Sequence, residues 1–216
     1  MRTIIDTAHG GPRPALLMAL LTGSLSQPED FVREGFPQAV RAHGISAEVV
    51  MAEVRAAWVA DGSIVHRIGE AVVEPGRARG HSRIWLAGIS LGALAALAYA
   101  ARNPGLEGIA LIAPYPATRD VLREVDAAGG LQRWHPVIPE GGDVEREAWR
   151  WLATRAAGDP VVFCYRASGD RFAEGQRRMA ETLPPGAVRV LPGDHDWPAW
   201  RALWEAFLDD RAGALQ

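Results

Sequence analysis

The strongest constraint on this chain is a rhythm: short apolar runs alternate with longer amphipathic stretches along most of its length. A brief apolar run suits a strand buried on both faces, and a 3.6-residue apolar period suits a helix laid against it. Strands are predicted at 15–21, 46–54, 83–89, 108–113, 160–167 and 188–191. Helices are predicted between them at 28–42, 63–78, 91–102, 118–128, 143–157, 172–183 and 197–208, with 129–142 irregular. Pro28 opens the first helix where its missing N–H costs nothing, and Gly44 stops it. On the second helix Ile64, Ile68 and Val72 share one face. Strands linked by helical crossovers imply an α/β fold, a mostly parallel, doubly wound sheet with helices on both faces. No repeat, low-complexity tract or linker divides the 216 residues, so one domain spanning 1–216 is expected.

Composition removes whole classes of chemistry. All 23 basic residues are arginine, so lysine-dependent phosphate loops, Schiff bases and Ser–Lys dyads are excluded. A formal net charge of −3 gives no footprint for nucleic acid. Cys164 is the single cysteine, which forbids an intrachain disulfide and a cysteine metal cluster; its apolar neighbours Val161, Val162 and Phe163 predict a buried, inert thiol. The stretch 15–21 is too short to span a bilayer, which needs about 20 apolar residues. Residues Met1 to Asp6 lack the apolar core of a signal peptide. A soluble, cytoplasmic protein without a membrane partner is expected, and its oligomeric state is not legible.

In open parallel sheets, ligands bind beyond the carboxyl ends of the strands, so chemistry belongs at the strand-to-helix junctions. At one junction stands Gly88-Ile89-Ser90-Leu91-Gly92. A serine on so tight a turn has its hydroxyl lifted clear of the sheet, with the N–H groups of a helix start behind it. After the strand 160–167 comes Ser168-Gly169-Asp170-Arg171-Phe172, whose carboxylate suits either an imidazole partner or a helix cap. After the last strand comes Pro192-Gly193-Asp194-His195-Asp196-Trp197. None of the five other histidines has a comparable place: His43 ends a helix, His66 lies in one, His81 precedes a strand, His135 is in the irregular stretch and His9 is near the N-terminus. The order is therefore Ser90, Asp170, His195: nucleophile, acid, base. Asp194 and Asp196 compete for the acid role, but neighbours in a tight loop rarely aim a carboxylate at the adjoining ring, which favours Asp170.

These motifs, with Pro198-Ala199-Trp200 after the last, resemble the small serine hydrolases of the α/β-hydrolase superfamily, compact bacterial esterases and lipases, over nearly the whole chain. The resemblance implies a cofactor-free serine hydrolase acting on a small carboxylic ester through a Ser90–His195–Asp170 triad, with no metal. It implies an oxyanion hole of backbone N–H groups: Leu91 after the nucleophile, and Ser24, with Leu25 a close rival, after Thr22-Gly23. Relatives carry His-Gly or a similar pair where this chain has Thr22-Gly23. His9-Gly10-Gly11 resembles a lipase oxyanion motif but precedes the first strand instead of following it, and reads as a connecting turn. The superfamily inserts a lid where residues 129–157 fall, which brings Trp134, Trp149 and Trp151 forward, with Leu25, as candidate pocket walls. Trp149 and Trp151 cannot share one side of a helix, so one of them is expected in the core. Trp197, Trp200 and Trp204 recur at helical spacing and read as a packed face. A thioesterase, an acyltransferase and a non-catalytic ligand-binding protein are the alternatives on the same residues.

Overall fold

The structure, a computed structural model, describes residues 1–8 and 13–216; the His9-Gly10-Gly11 turn lies outside them. Among the described residues, seven strands form one sheet in the order β1-β3-β2-β4-β5-β6-β7. They are β1 (Thr3–Asp6), β2 (Leu16–Leu21), β3 (Ala47–Ala52), β4 (Arg83–Ile89), β5 (Gly108–Ile112), β6 (Val161–Ala167) and β7 (Val188–Leu191). All neighbours run parallel except β1, which pairs antiparallel with β3 at one edge. Strand β1 is absent from the sequence prediction: three half-buried residues and the exposed Ile5 on an edge strand carry little apolar signal. From β2 the chain steps outward to β3, then crosses back to β4 on the other side. The switch point lies between the ends of β2 and β4, where a ligand crevice is expected.

Alternation along each strand sends side chains to two separate cores. Leu17, Ala19 and Leu21 of β2 join the core under α4 (Ile64–Ile68), α6 (Leu91–Arg102), α7 (Arg119–Ala127) and α8 (Val144–Thr154). Leu16, Met18 and Leu20 face the core under α1 (Pro28–Arg33), α2 (Phe36–Ala42) and α10 (Trp197–Leu215). The mostly parallel sheet clad on both faces is as the rhythm predicts.

The helices differ from expectation where backbone chemistry intervenes. Residues 28–42 form two helices because Gly35 turns left-handed at φ 77°, and Arg201 binds the carbonyl of Glu34 at the break. Residues 63–78 run as α4, a π-helical turn (Gly69–Val73) and α5 (Glu74–Ala78). Pro75 has no N–H for a regular ladder and its ring crowds the preceding turn, which the wider π turn accommodates. A short helix, α3 (Ala56–Ala60), follows β3, and α9 (Ala173–Ala180) follows β6. Helix α10 outruns its predicted end: Asp209 and Asp210 look like a stop, but Leu215 is buried and anchors the last turns.

Residues 129–157 contain a single 3-10 turn at Leu131–Arg133 and α8. Ala148, Trp149 and Leu152 bury one stripe of α8 in the sheet-facing core, while residues 142–146 border the crevice. No helix among the described residues is long and apolar enough to cross a membrane.

Candidate active site

The parallel register brings the carboxyl ends of the strands to one rim: Leu21 lies beside Gly88, Ile89 beside Ile112, and Ala167 beside Leu191. The ladder continues into the loops, with Ser90 N–H donating to Ile112 O (3.1 Å) and Gly169 N–H to Gly193 O (2.9 Å). Residues far apart in sequence thus meet on a fixed backbone.

Between β4 and α6 the chain turns on Ser90, which adopts φ 51° and ψ −114°. That is a strained conformation for a residue with a side chain, of the kind that collects at functional sites. The two flanking glycines are sterically required. A Cβ on Gly88 would overlap the backbone of Gly92 and Ala93, and one on Gly92 would overlap Leu21 O. The second contact packs the start of α6 against the end of β2, bringing the Gly23-Ser24 loop to Ser90. A Cβ built on Gly23 would lie 3.7 Å from Ser90 Cβ.

Ser90 Oγ–H donates to His195 Nε2 at 2.9 Å, and His195 Nδ1–H donates to Asp170 Oδ2 at 2.7 Å. The carboxylate of Asp170 is fully buried. Burial pushes its pKa up, but hydrogen bonds from His195, from Phe172 N–H (2.8 Å to Oδ1) and from Gln176 Nε2 (2.8 Å to Oδ2) outweigh burial and hold it below the usual carboxylate value. The neighbours of His195 are engaged elsewhere or exposed: Asp196 caps α10 by accepting Ala199 N–H at 3.1 Å, and Asp194 faces solvent. The imidazole is held edge-on between Phe172 and Trp200, each with its ring centre 5.1 Å away.

Ser90 opens into a cavity of about 590 Å³. Ala56, Val59 and Ala60 of α3 form one wall, Tyr115 and Phe172 another, and residues 142–146 a third. Leu91 and Ser24 both line it. Neither N–H donates to a backbone carbonyl among the described residues. The charges around the rim are largely committed. Arg146 binds Glu124 and Asp143, an arrangement that raises its pKa through Glu124 first. Glu145 accepts Thr118 N–H and Oγ1–H at 2.9 and 2.8 Å. Burial raises the pKa of the Tyr115 hydroxyl, and the charge of Glu145 adds to the effect.

The residues expected to wall the pocket lie elsewhere. Leu25 is 96% exposed and points to solvent while its neighbour Ser24 faces the cavity. Trp149 is buried in the core, donates Nε1–H to Pro116 O at 2.5 Å and packs edge-on against Trp134. Trp151 is partly buried against the same core. Helix α8 packs against α6 and buries Trp149, and only its first turn reaches the cavity. The actual walls escaped the sequence reading because Ala56, Val59 and Tyr115 carry no motif. Gln176 escaped it too, one polar side chain on a polar helix.

No protein-family model and no curated protein matches this sequence. Solved structures do match. A ferulic acid esterase aligns with a TM-score of 0.68 at 11% identity, over 100% of this chain and 98% of its own. The fluorophosphonate-binding serine hydrolase FphF of Staphylococcus aureus aligns at 0.66 with 13% identity, over 96% and 90%. The chain has the α/β-hydrolase fold. The bottromycin epimerase BotH, bound to bottromycin A2, aligns as well, at 0.59 with 18% identity over 99% and 94%. An α/β-hydrolase fold therefore does not decide an activity, which lies with the side chains at the sheet rim.

Proposed function

We propose that this α/β-hydrolase-fold protein is a serine hydrolase that cleaves small carboxylic esters through an acyl-enzyme. One observation carries the reading: an unbroken hydrogen-bond chain from Ser90 through His195 to Asp170, opening onto a cavity beside two backbone N–H groups. Ser90 Oγ attacks the ester carbonyl carbon while His195 Nε2 takes its proton. The tetrahedral oxyanion is met by the N–H groups of Leu91 and Ser24, each worth about 3 kcal/mol of barrier. His195 then protonates the departing alcohol. In the second half it deprotonates a water that releases the acid. Asp170 fixes the imidazole tautomer and stabilises the cation formed. The ester is a small molecule held under residues 142–146, which serve as the roof of the site. The hydrolases among the structural neighbours, a ferulic acid esterase and a fluorophosphonate-binding enzyme, support hydrolysis over the epimerase chemistry of BotH.

The test is turnover of p-nitrophenyl acetate and butyrate by the wild type and by Ser90→Ala. The variant is expected to lose on the order of 10⁶-fold in kcat, because such residues act as a unit. A fluorophosphonate probe should label the wild type and not the variant. Unchanged turnover in S90A would overturn the reading. Preference for acetyl thioesters over oxygen esters would move it to a thioesterase.

A further inference from the structure

We infer that Gln176 is a positioning residue, its carboxamide locking the acid Asp170 to the strained segment that holds Ser90; this rests on the triad reading above. Gln176 is fully buried on α9. Its Nε2 donates to Asp170 Oδ2 at 2.8 Å and to Pro114 O at 3.1 Å, which uses both amide protons. Its Oε1 has no partner among the described residues. Rotating the amide by half a turn would set that oxygen against a carbonyl and a carboxylate, two acceptors, so the observed orientation is the only one the surroundings allow. A buried acceptor without a donor is destabilising, and the two bonds from Nε2 to buried acceptors stand against that cost.

What Gln176 holds is the other half of the site. Ala113 takes φ 43°, the second strained residue with a side chain among those described, and its N–H donates to Tyr165 O at 2.7 Å. Past this kink the carbonyl of Pro114 meets Gln176, and the next N–H, that of Tyr115, reaches back to Ser90 O at 3.0 Å. Through one side chain, the loop after β6 that carries the acid is tied to the loop after β5 that braces the nucleophile. Gly175 makes the approach possible, since a Cβ there would come within 2.6 Å of Pro116 Cγ. The adjacent pair Gly175-Gln176 is the trace this device leaves in the sequence.

The test uses the full-length protein, p-nitrophenyl acetate, and three variants. Gln176→Met keeps shape and loses both donors. Its kcat should fall about 10- to 100-fold, the scale of a displaced catalytic group, with KM within threefold of wild type and an unchanged near-ultraviolet circular dichroism spectrum. Gln176→Glu keeps a donor only while its carboxyl is protonated, and when ionised it sets a second negative charge against Asp170. Its kcat relative to wild type should therefore decline from pH 6 to pH 8.5, which a merely structural role would not produce. A kcat for Q176M within twofold of wild type overturns the inference, as does a flat pH ratio for Q176E should Q176M fail to fold. Ser90→Ala separates the two levels of argument. An inactive S90A beside a fully active Q176M overturns the inference alone, whereas equal turnover by wild type and S90A overturns the hydrolase reading and the inference with it.

Discussion

Asp170 and Asp196 are the same residue type on neighbouring loops, yet their surroundings assign them opposite duties. Asp170 is buried and collects three donors, one of them His195 Nδ1–H; Asp196 spends its oxygen on the first turn of α10. Asp170→Asn should lower kcat on the order of 10⁴-fold by stabilising the wrong imidazole tautomer, and should lower the thermal midpoint as well, because its amide nitrogen would face donors that the carboxylate accepts. Asp196→Ala should leave kcat within threefold and cost about 1 kcal/mol of helix capping, read as a drop of roughly 2–4 °C in Tm. Measuring both quantities on both variants decides between the carboxylates, and the reverse pattern would reassign the acid. The same logic of surroundings applies to Cys164, whose thiol burial pushes up to about 12. Sequence order alone could nominate Ser90, Asp170 and His195, because each sits in a glycine-bounded turn after an apolar run. It could not see Gln176, since nothing in a polar helix marks the one side chain that turns inward.

The elements were legible where apolar runs are continuous and both ends carry turn residues: β4 and α6 fall at their predicted limits. They were illegible where tertiary contacts override local signals, as in the split of 28–42 at Gly35 and the extension of α10 to Leu215. Helices α2 and α10 pack together on one face, and His43 links them. Its Nδ1–H donates to Ala39 O at 2.7 Å, and its Nε2 lies 3.0 Å from Asp209 Oδ1. The bond to Ala39 is the main cause of a raised pKa, with Asp209 and Glu205 adding to it against a smaller loss from burial. A folded-state pKa above that of the unfolded chain means that the charged ring stabilises the fold fully below about pH 6.5. The contribution fades as pH rises through the raised value. His43→Gln should therefore lower Tm at pH 5.5 and leave it near wild type at pH 9, checked by thermal melts across that range. A Tm difference that grows with pH would contradict the assignment.

At the scale of the whole molecule, the site belongs to no single stretch of chain. The sheet rim supplies Ser90, Asp170 and His195, while the cavity walls come from α3, the loop after β5, and the first turn of α8. Convergence of the rim follows from strand order, which an alternating sequence implies. Convergence of the walls follows from how helices pack across one face, which it does not, and tryptophans chosen for size turn out to fill the core. A cavity of about 590 Å³ has room for far more than an acetyl group, so under the proposed function acyl length should be governed by the apolar side chains that line it. Val59 is nearly buried there, on a five-residue helix that lies outside the hydrogen-bond chain of the site. Val59→Phe should shorten the cavity without disturbing Ser90. Its kcat/KM for p-nitrophenyl hexanoate should fall at least about tenfold, the scale of a few methylenes in an apolar pocket, while that for the acetate stays within threefold. An equal loss on both esters would mean that the wall supports the fold instead of measuring the substrate, and an unchanged profile would place the acyl chain outside this cavity.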